Sequence, residues 1–331
     1  MSASTTTSNA AAPGTPGWRD WQSHPERLEL VLLAAFVALL VLAAALLQPA
    51  FLAPGNLRDV LVQAAPLCLV VLGQTLVIIV RGLDLSMASV CASVAVMATA
   101  FNTTSDSMVP VIVCAGLALG AAVGAFNAWL VVRRGISPFL ATLAVMIVLQ
   151  GARFAYTGGA PSGTLPEGMA ALSSGVVAGL PVSTWIVLLA AGGCALFLTR
   201  SVAGRETLLV GSNPEAARLI GLPVARRIAL AYVLSGMLAA AAGLVLVGYV
   251  GIVDNWTGKG LELDAIAAAV LGGAALSGGK GSVAGSILGA LLLVMVFNIM
   301  VMLGLPVEAQ MVVQGVVIIA AAATYAVRQS R

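Results

Sequence analysis

The chain has 331 residues, of which 60% are apolar and only 9% charged, with 36 glycines and a mean hydropathy of +1.05. Soluble domains carry roughly a quarter charged residues, so this composition excludes a cytoplasmic enzyme with a solvated charged surface and specifies an integral membrane protein. The net charge of +3 comes from 16 basic against 13 acidic residues, too even a balance for a nucleic-acid-binding surface.

A helix needs about 20 residues to cross a ~30 Å hydrocarbon core, so roughly ten spans with short connections fill the chain and leave no room for an outlying catalytic domain. Residues 1–27 read as a Ser/Thr/Ala/Pro-rich disordered cytoplasmic leader that runs into a mixed-charge interfacial segment. An all-α transmembrane domain is expected over 28–327, with spans near 28–48, 57–80, 85–101, 109–132, 138–157, 178–199, 228–250, 263–277, 282–303 and 308–327, and a cytoplasmic tail at 328–331. The eighth stretch is short and ends in glycines, which fits a partial or broken helix as well as a full crossing.

Positive charge chooses the orientation. With the N-terminus inside, Arg19, Arg27, Arg81, Arg133, Arg134, Arg200, Arg205, Arg218, Arg226, Arg227, Lys280, Arg328 and Arg331 face the cytoplasm. Arg58 and Lys259 fall outside, and Arg153 lies in the outer half of the fifth span, where it is expected to snorkel or to bind helix-end carbonyls. Both termini are then cytoplasmic. Cys68, Cys91, Cys114 and Cys194 lie in apolar runs without CxxC spacing, and the single histidine, His24, is in the leader. No metal site is expected from that set.

The longest cytoplasmic connection, 199–227, contains Ser212-Asn213-Pro214-Glu215-Ala216-Ala217-Arg218-Leu219-Ile220-Gly221. Ser212 or Asn213 supplies a cap, Pro214 the first helical position, Glu215 an acid at the positive dipole end, and Gly221 followed by Pro223 the stop. A short amphipathic helix is expected there, exposed for docking. The segment GSNPEAARLIG (211–221) is similar to the coupling-helix motif of ABC importer permeases. LGQTLVIIVRGLDLSMASV (72–90), ISPFLATLAVMIVLQGARFAYTGG (136–159) and ELDAIAAAVLGGAALSGGKGSVAGSILGALL (262–292) resemble the ribose-type, sugar-importing permeases, from about residue 57 to the end.

The resemblance implies a permease that binds two cytoplasmic ATPase subunits, pairs with an identical or similar permease, and receives sugar from a periplasmic binding protein in the bacterial inner membrane. GGKGS (278–282) lacks the spacing of a phosphate-binding loop, so ATP and Mg belong to the partner and no cofactor is bound by this chain. Ser212, Asn213, Glu215, Ala216, Ala217, Arg218 and Gly221 are the expected coupling residues. The sequence departs from the family at Arg81, where glycine is usual, and at Met87-Ala88, which replace a more usual Val-Gly.

Ionisable groups at bilayer depth are rare and are paired or functional. Asp84 and Asp264, each in a Leu-Asp pair before an apolar run, are either helix N-caps or parts of a gate or substrate path. A shift of 180 residues superposes LDLSMASV (83–90) on LDAIAAAV (263–270). A shift of 165 superposes Gly116, Gly120 and Gly124 on Gly281, Gly285 and Gly289, which suggests an inverted repeat of five plus five spans. Both glycine triplets are expected to form close-packing helix faces. A neutral polyol needs uncharged hydrogen-bonding groups, so Asn127, Thr142 and Asn298 are path candidates within a wider polar set of Gln63, Gln74, Thr75, Gln150, Gln310 and Gln314; Ser86 and the two aspartates, Asp84 and Asp264, are further path or gate candidates, and Phe139 is an apolar gate or stacking candidate. Phe126 and Phe297 are further gating or stacking candidates. Alternatives are an ABC permease for branched-chain amino acids or nucleosides, or an ion-coupled transporter, which would need mid-span carboxylates and no capped cytoplasmic helix.

Overall fold

The computed structural model describes residues 25–251, 253–316 and 319; the leader over 1–24 and the tail at 328–331 lie outside them. The first five helices are α1 (Pro25–Leu47), α2 (Pro54–Ile79), α3 (Met87–Ala100), α4 (Val109–Arg134) and α5 (Pro138–Thr157). After α6 (Glu167–Ser174), a hairpin pairs Val176–Val177 with Leu180–Pro181, a minor departure from an all-α chain. Helices α7 (Val182–Arg200), α8 (Val202–Ser212), α9 (Pro214–Leu219) and α10 (Val224–Val250) follow, then α11 (Leu261–Leu271), α12 (Val283–Met302) and helical residues 307–316. Proline within the first two positions of α2, α4, α5 and α9 uses the site where its missing N–H costs nothing.

Six of the described helices, α2, α4 (with the turn before it), α5, α7, α10 and α12, are long and apolar enough to cross a bilayer, so the chain is a polytopic helical membrane protein. At 1.5 Å rise per residue, α3 with 14 residues and α11 with 11 are too short to do so alone. The eighth stretch, 263–277, is therefore a partial helix, stopped at Gly272. Two helices went unanticipated within connections, α6 in 157–175 and α8 in 199–227.

α2 is the hub of the bundle. Its most apolar 18 residues are 94% buried, and α10, α11, α12 and α7 pack around it. α4 lies antiparallel against α10 with almost no side chain between them: a Cβ on Gly120 would stand 2.2 Å from Gly236 O, and one on Gly124 2.3 Å from Tyr232 O. In lipid, such backbone proximity supplies the van der Waals contact that holds helices together. The second glycine triplet behaves differently. Gly285 and Gly289 bring α12 against the backbone of α11 at Gly272 and Ala268, but Gly281 precedes the helix and rests on Ile79 and Thr75 of α2. The reason is Ser282, whose Oγ accepts from Gly285 N at 3.1 Å and starts α12 after Gly281.

The antiparallel packing also sorts the cations. Arg81, Arg133, Arg134, Arg200, Arg205, Arg218, Arg226, Arg227 and Lys280 gather at one end, where Arg227 pairs with Glu206 at 2.6 Å. Arg58, Arg153 and Lys259 stand toward the other, where Arg58 bonds Ser174 O.

Gly120→Ala drives a methyl group into the backbone of α10, and overpacking of this kind costs about 1–3 kcal/mol. A lower thermal unfolding midpoint in detergent is expected for this variant. Gly116→Ala, which meets only the movable side chains of Val94 and Leu244 at 3.0–3.3 Å, should change it far less.

Candidate functional site

The chain between α2 and α3 turns back into the protein, and its polar groups must be satisfied there without water. Asp84 does most of this. Its Oδ1 accepts from Ser86 N (3.0 Å) and Ser86 Oγ (2.6 Å), and its Oδ2 accepts from Ser235 Oγ on α10 (2.8 Å). Asn127 on α4 donates through Nδ2 to Ser86 Oγ (2.8 Å). Thr142 on α5 accepts from Leu85 N (3.1 Å) and donates to Pro138 O (2.9 Å). Four path candidates, Asp84, Ser86, Asn127 and Thr142, are thus brought into one cluster, each at most 1% exposed.

The cluster ties α4, α5 and α10 to the loop after α2. Asp84 is not the N-cap of α3, because Ser86 holds that position; it bonds the amide two residues on, as in an Asx turn. Asp264 is not a cap either. It lies inside the first turn of α11 and accepts from Gln314 Nε2 at 2.5 Å, while Glu262 reaches back to Gly260 N (3.0 Å) and takes the role expected of a capping acid.

The other candidates are dispersed. Asn298 exchanges two amide bonds with Asn56 on α2 (3.1 and 3.2 Å). Phe139 is exposed at the start of α5, Phe126 is exposed and stacks on Trp129 with ring centroids 5.8 Å apart, and Phe297 is half-buried. Thr75 bonds Ser286 Oγ (2.7 Å), Gln310 bonds Leu305 O, Gln63 is exposed and Gln150 half-buried. Gln74 is fully buried in α2, and its amide makes no hydrogen bond to any described residue. Arg153 does not snorkel: buried, it donates to Ser89 O (2.8 Å), Ser93 Oγ (3.1 Å) and Asn255 O (3.3 Å), binding main-chain carbonyls.

At the cation-rich end, α9 forms as its sequence dictates. Asn213 Oδ1 accepts from Glu215 N (3.1 Å) and Ala216 N (3.0 Å). Ser212 is not the cap, since it ends α8 and donates to Leu208 O. Gly221 closes the turn at φ +81°. Ala217 faces inward against Val210 and Val224 and anchors the helix, whereas Glu215, Ala216 and Arg218 are exposed. Two residues that the motif did not single out stand out here: Leu219 is 89% exposed and Ile220 71%. Their signal was an apolar pair directly before the terminating glycine. α8 is capped by Ser201, whose Oγ accepts from Gly204 N (2.8 Å).

A bundle of membrane-crossing helices tied by a buried polar loop, with a capped and partly apolar helix presented at its cation-rich end, defines a membrane transport permease. The chain belongs to the family described as branched-chain amino acid transport system, permease component, whose model matches residues 56–322. It is 39% identical to the autoinducer 2 import system permease protein of Enterobacter sp. (strain 638) over 83% of this chain and 80% of that one. It is 37% identical to the ribose import permease protein of Escherichia coli K12, over 87% of this chain and 91% of that one. A probable ABC transporter permease of Sinorhizobium fredii is 38% identical, over 87% and 86% of the two chains. No solved structure matches. The chain is thus the permease subunit of an ABC importer, a transport component whose ATPase is a separate polypeptide.

Removing the acceptor from the loop cluster leaves three buried donor hydrogens unpaired, and each such group costs about 1–3 kcal/mol. Asp84→Ala is therefore expected to lose most folded protein at a temperature the unsubstituted permease survives. Asp84→Asn keeps Oδ1 for both Ser86 donors and should be markedly milder; size-exclusion profiles after heating compare the two.

Proposed function

We propose that this permease carries a monosaccharide or similar small polyol inward, delivered by a periplasmic binding protein and driven by ATPase subunits that dock on α9. The observation that carries the reading is α9 itself. It is an Asn213-capped helix anchored by Ala217, with Glu215, Ala216, Arg218, Leu219 and Ile220 offered to a partner. A rigid rod in a groove passes on the groove's closure as a rigid-body displacement. The gathering of cations at the α9 end supports cytoplasmic exposure of that end and of both termini. Short α3 follows the Leu83-Asp84 pair, short α11 carries Leu263-Asp264 in its first turn, and each precedes a long helix, which supports two related halves of opposite orientation. Function as a pair of permeases in the bacterial inner membrane is part of the same reading.

Sugar as cargo draws support from the ribose and autoinducer 2 import permeases among the relatives, and from hydrogen-bonding groups that are mostly uncharged. Zwitterionic branched-chain amino acids, named in the family description, are the competing cargo.

Proteoliposomes holding the permease with its ATPase subunits and binding protein test this directly. ATP-dependent uptake of radiolabelled ribose is expected, and none without the ATPase. Uptake of leucine in its place moves the assignment to amino acids, and gradient-driven uptake without ATPase removes the ABC mechanism. In the same system, Leu219→Asp should weaken ATPase association by about 2 kcal/mol, or ~30-fold in Kd, as for an apolar anchor lost from an interface. Membrane insertion should be unaffected; pull-down from solubilised membranes reads the difference.

A further inference from the structure

Arg81 has a backbone φ of +63°. Residues with a Cβ adopt this left-handed region rarely and against steric resistance, whereas glycine enters it freely. The side chain explains why arginine stands there. Its Nε donates to Gly211 O at 2.7 Å, and its Nη2 donates to Ser212 O. These are final carbonyls of α8, groups that a helix leaves without partners of its own, at the negative end of the helix dipole. A planar guanidinium presents its donors in a rigid fork across two neighbouring carbonyls, whereas an ammonium is a compact point charge on a flexible stem.

The surroundings leave no slack. A Cβ on Gly211 would lie 1.7 Å from Ile79 O, one on Gly278 2.3 Å from Arg81 Cγ, and one on Gly279 2.3 Å from Ser212 Oγ. Gly279 N–H donates to Ile79 O at 2.8 Å. Three segments remote in sequence therefore meet in backbone contact: the end of α2, the joint between α8 and α9, and the turn before α12. Asn213, the cap of α9, follows directly on the clamped carbonyls, and Asp84 lies three residues beyond Arg81.

We propose that Arg81 is the positioning residue that fastens the docking helix α9 to the central helix α2. A displacement of α9 by the ATPase subunits is then passed to α2 and to the Asp84 cluster, where a compliant 199–227 connection would absorb it. The glycine-favouring backbone is tolerated at this position because only a side chain can reach the α8 terminus. The proposal rests on the reading of α9 as the ATPase-docking helix.

Hydrogen–deuterium exchange of the full permease–ATPase complex, with and without ATP and vanadate, tests it. In the unsubstituted complex nucleotide should change exchange over both 213–221 and 83–100. In Arg81→Gly, which removes both side-chain bonds while relaxing the backbone, the change over 213–221 should persist. The change over 83–100 should shrink at least threefold, and ATP hydrolysed per solute imported should rise. Arg81→Lys should fall between the two, and it carries the comparison if the glycine variant does not assemble. Equal nucleotide responses over 83–100 in all three complexes overturn the clamp, as does a response confined to 213–221 in the unsubstituted complex. A loss of thermal stability with both responses intact assigns Arg81 a structural role only. No nucleotide response over 213–221 in the unsubstituted complex removes the docking reading itself, and with it the proposal.

Discussion

The structure depends on one constraint: a helix enclosed on every side inside a membrane protein can be held only by backbone-close contact and by polar groups that satisfy each other. α2 is that helix. Hydrophobicity alone does not bring helices together in lipid, since the acyl chains are as apolar as leucine. Glycine and alanine therefore sit where helices cross, between α4 and α10 and between α12 and α11. Where α2 ends inside the protein, Asp84 gathers the donors that water would otherwise take.

The same constraint gives the polar candidates their present role. Asp84, Ser86, Asn127 and Thr142 are buried polar groups: the first three are joined side chain to side chain, and Thr142 bonds the main chain of the same loop at Leu85. They couple α3, α4, α5 and α10, so a change in the loop after α2 is felt by several helices at once. Asn56 with Asn298 and Thr75 with Ser286 do the same for α2 and α12. These ties give a bundle of smooth apolar helices a defined register.

Much of this was legible in the sequence. α5 occupies the expected 138–157, and α9 has its expected proline start and glycine stop, because apolar run length, proline and capping residues act locally. Other features were out of reach. Which of Ser212 and Asn213 caps α9 depends on whether α8 continues through 212, and the Ser201 cap that starts α8 lies in a polar run that reads as a plain connection. Gly281 matched the triplet spacing but falls outside the helix, because Ser282 begins it. Aspartates 84 and 264 cap neither of their helices, and their partners Ser235 and Gln314 are far away in sequence and had no local signal.

Arg153 has a consequence of a different kind. Two of its three acceptors, Ser89 O and Asn255 O, are peptide carbonyls, and every amino acid carries one. The side chains at 89 and 255 can therefore be exchanged without forfeiting those two bonds, whereas no other residue type matches the reach and fork of the arginine. The rim where Gln150, Trp256 and Glu262 stand near this arginine is thus a place where natural variation can revise chemistry while the main-chain frame beneath it stays fixed.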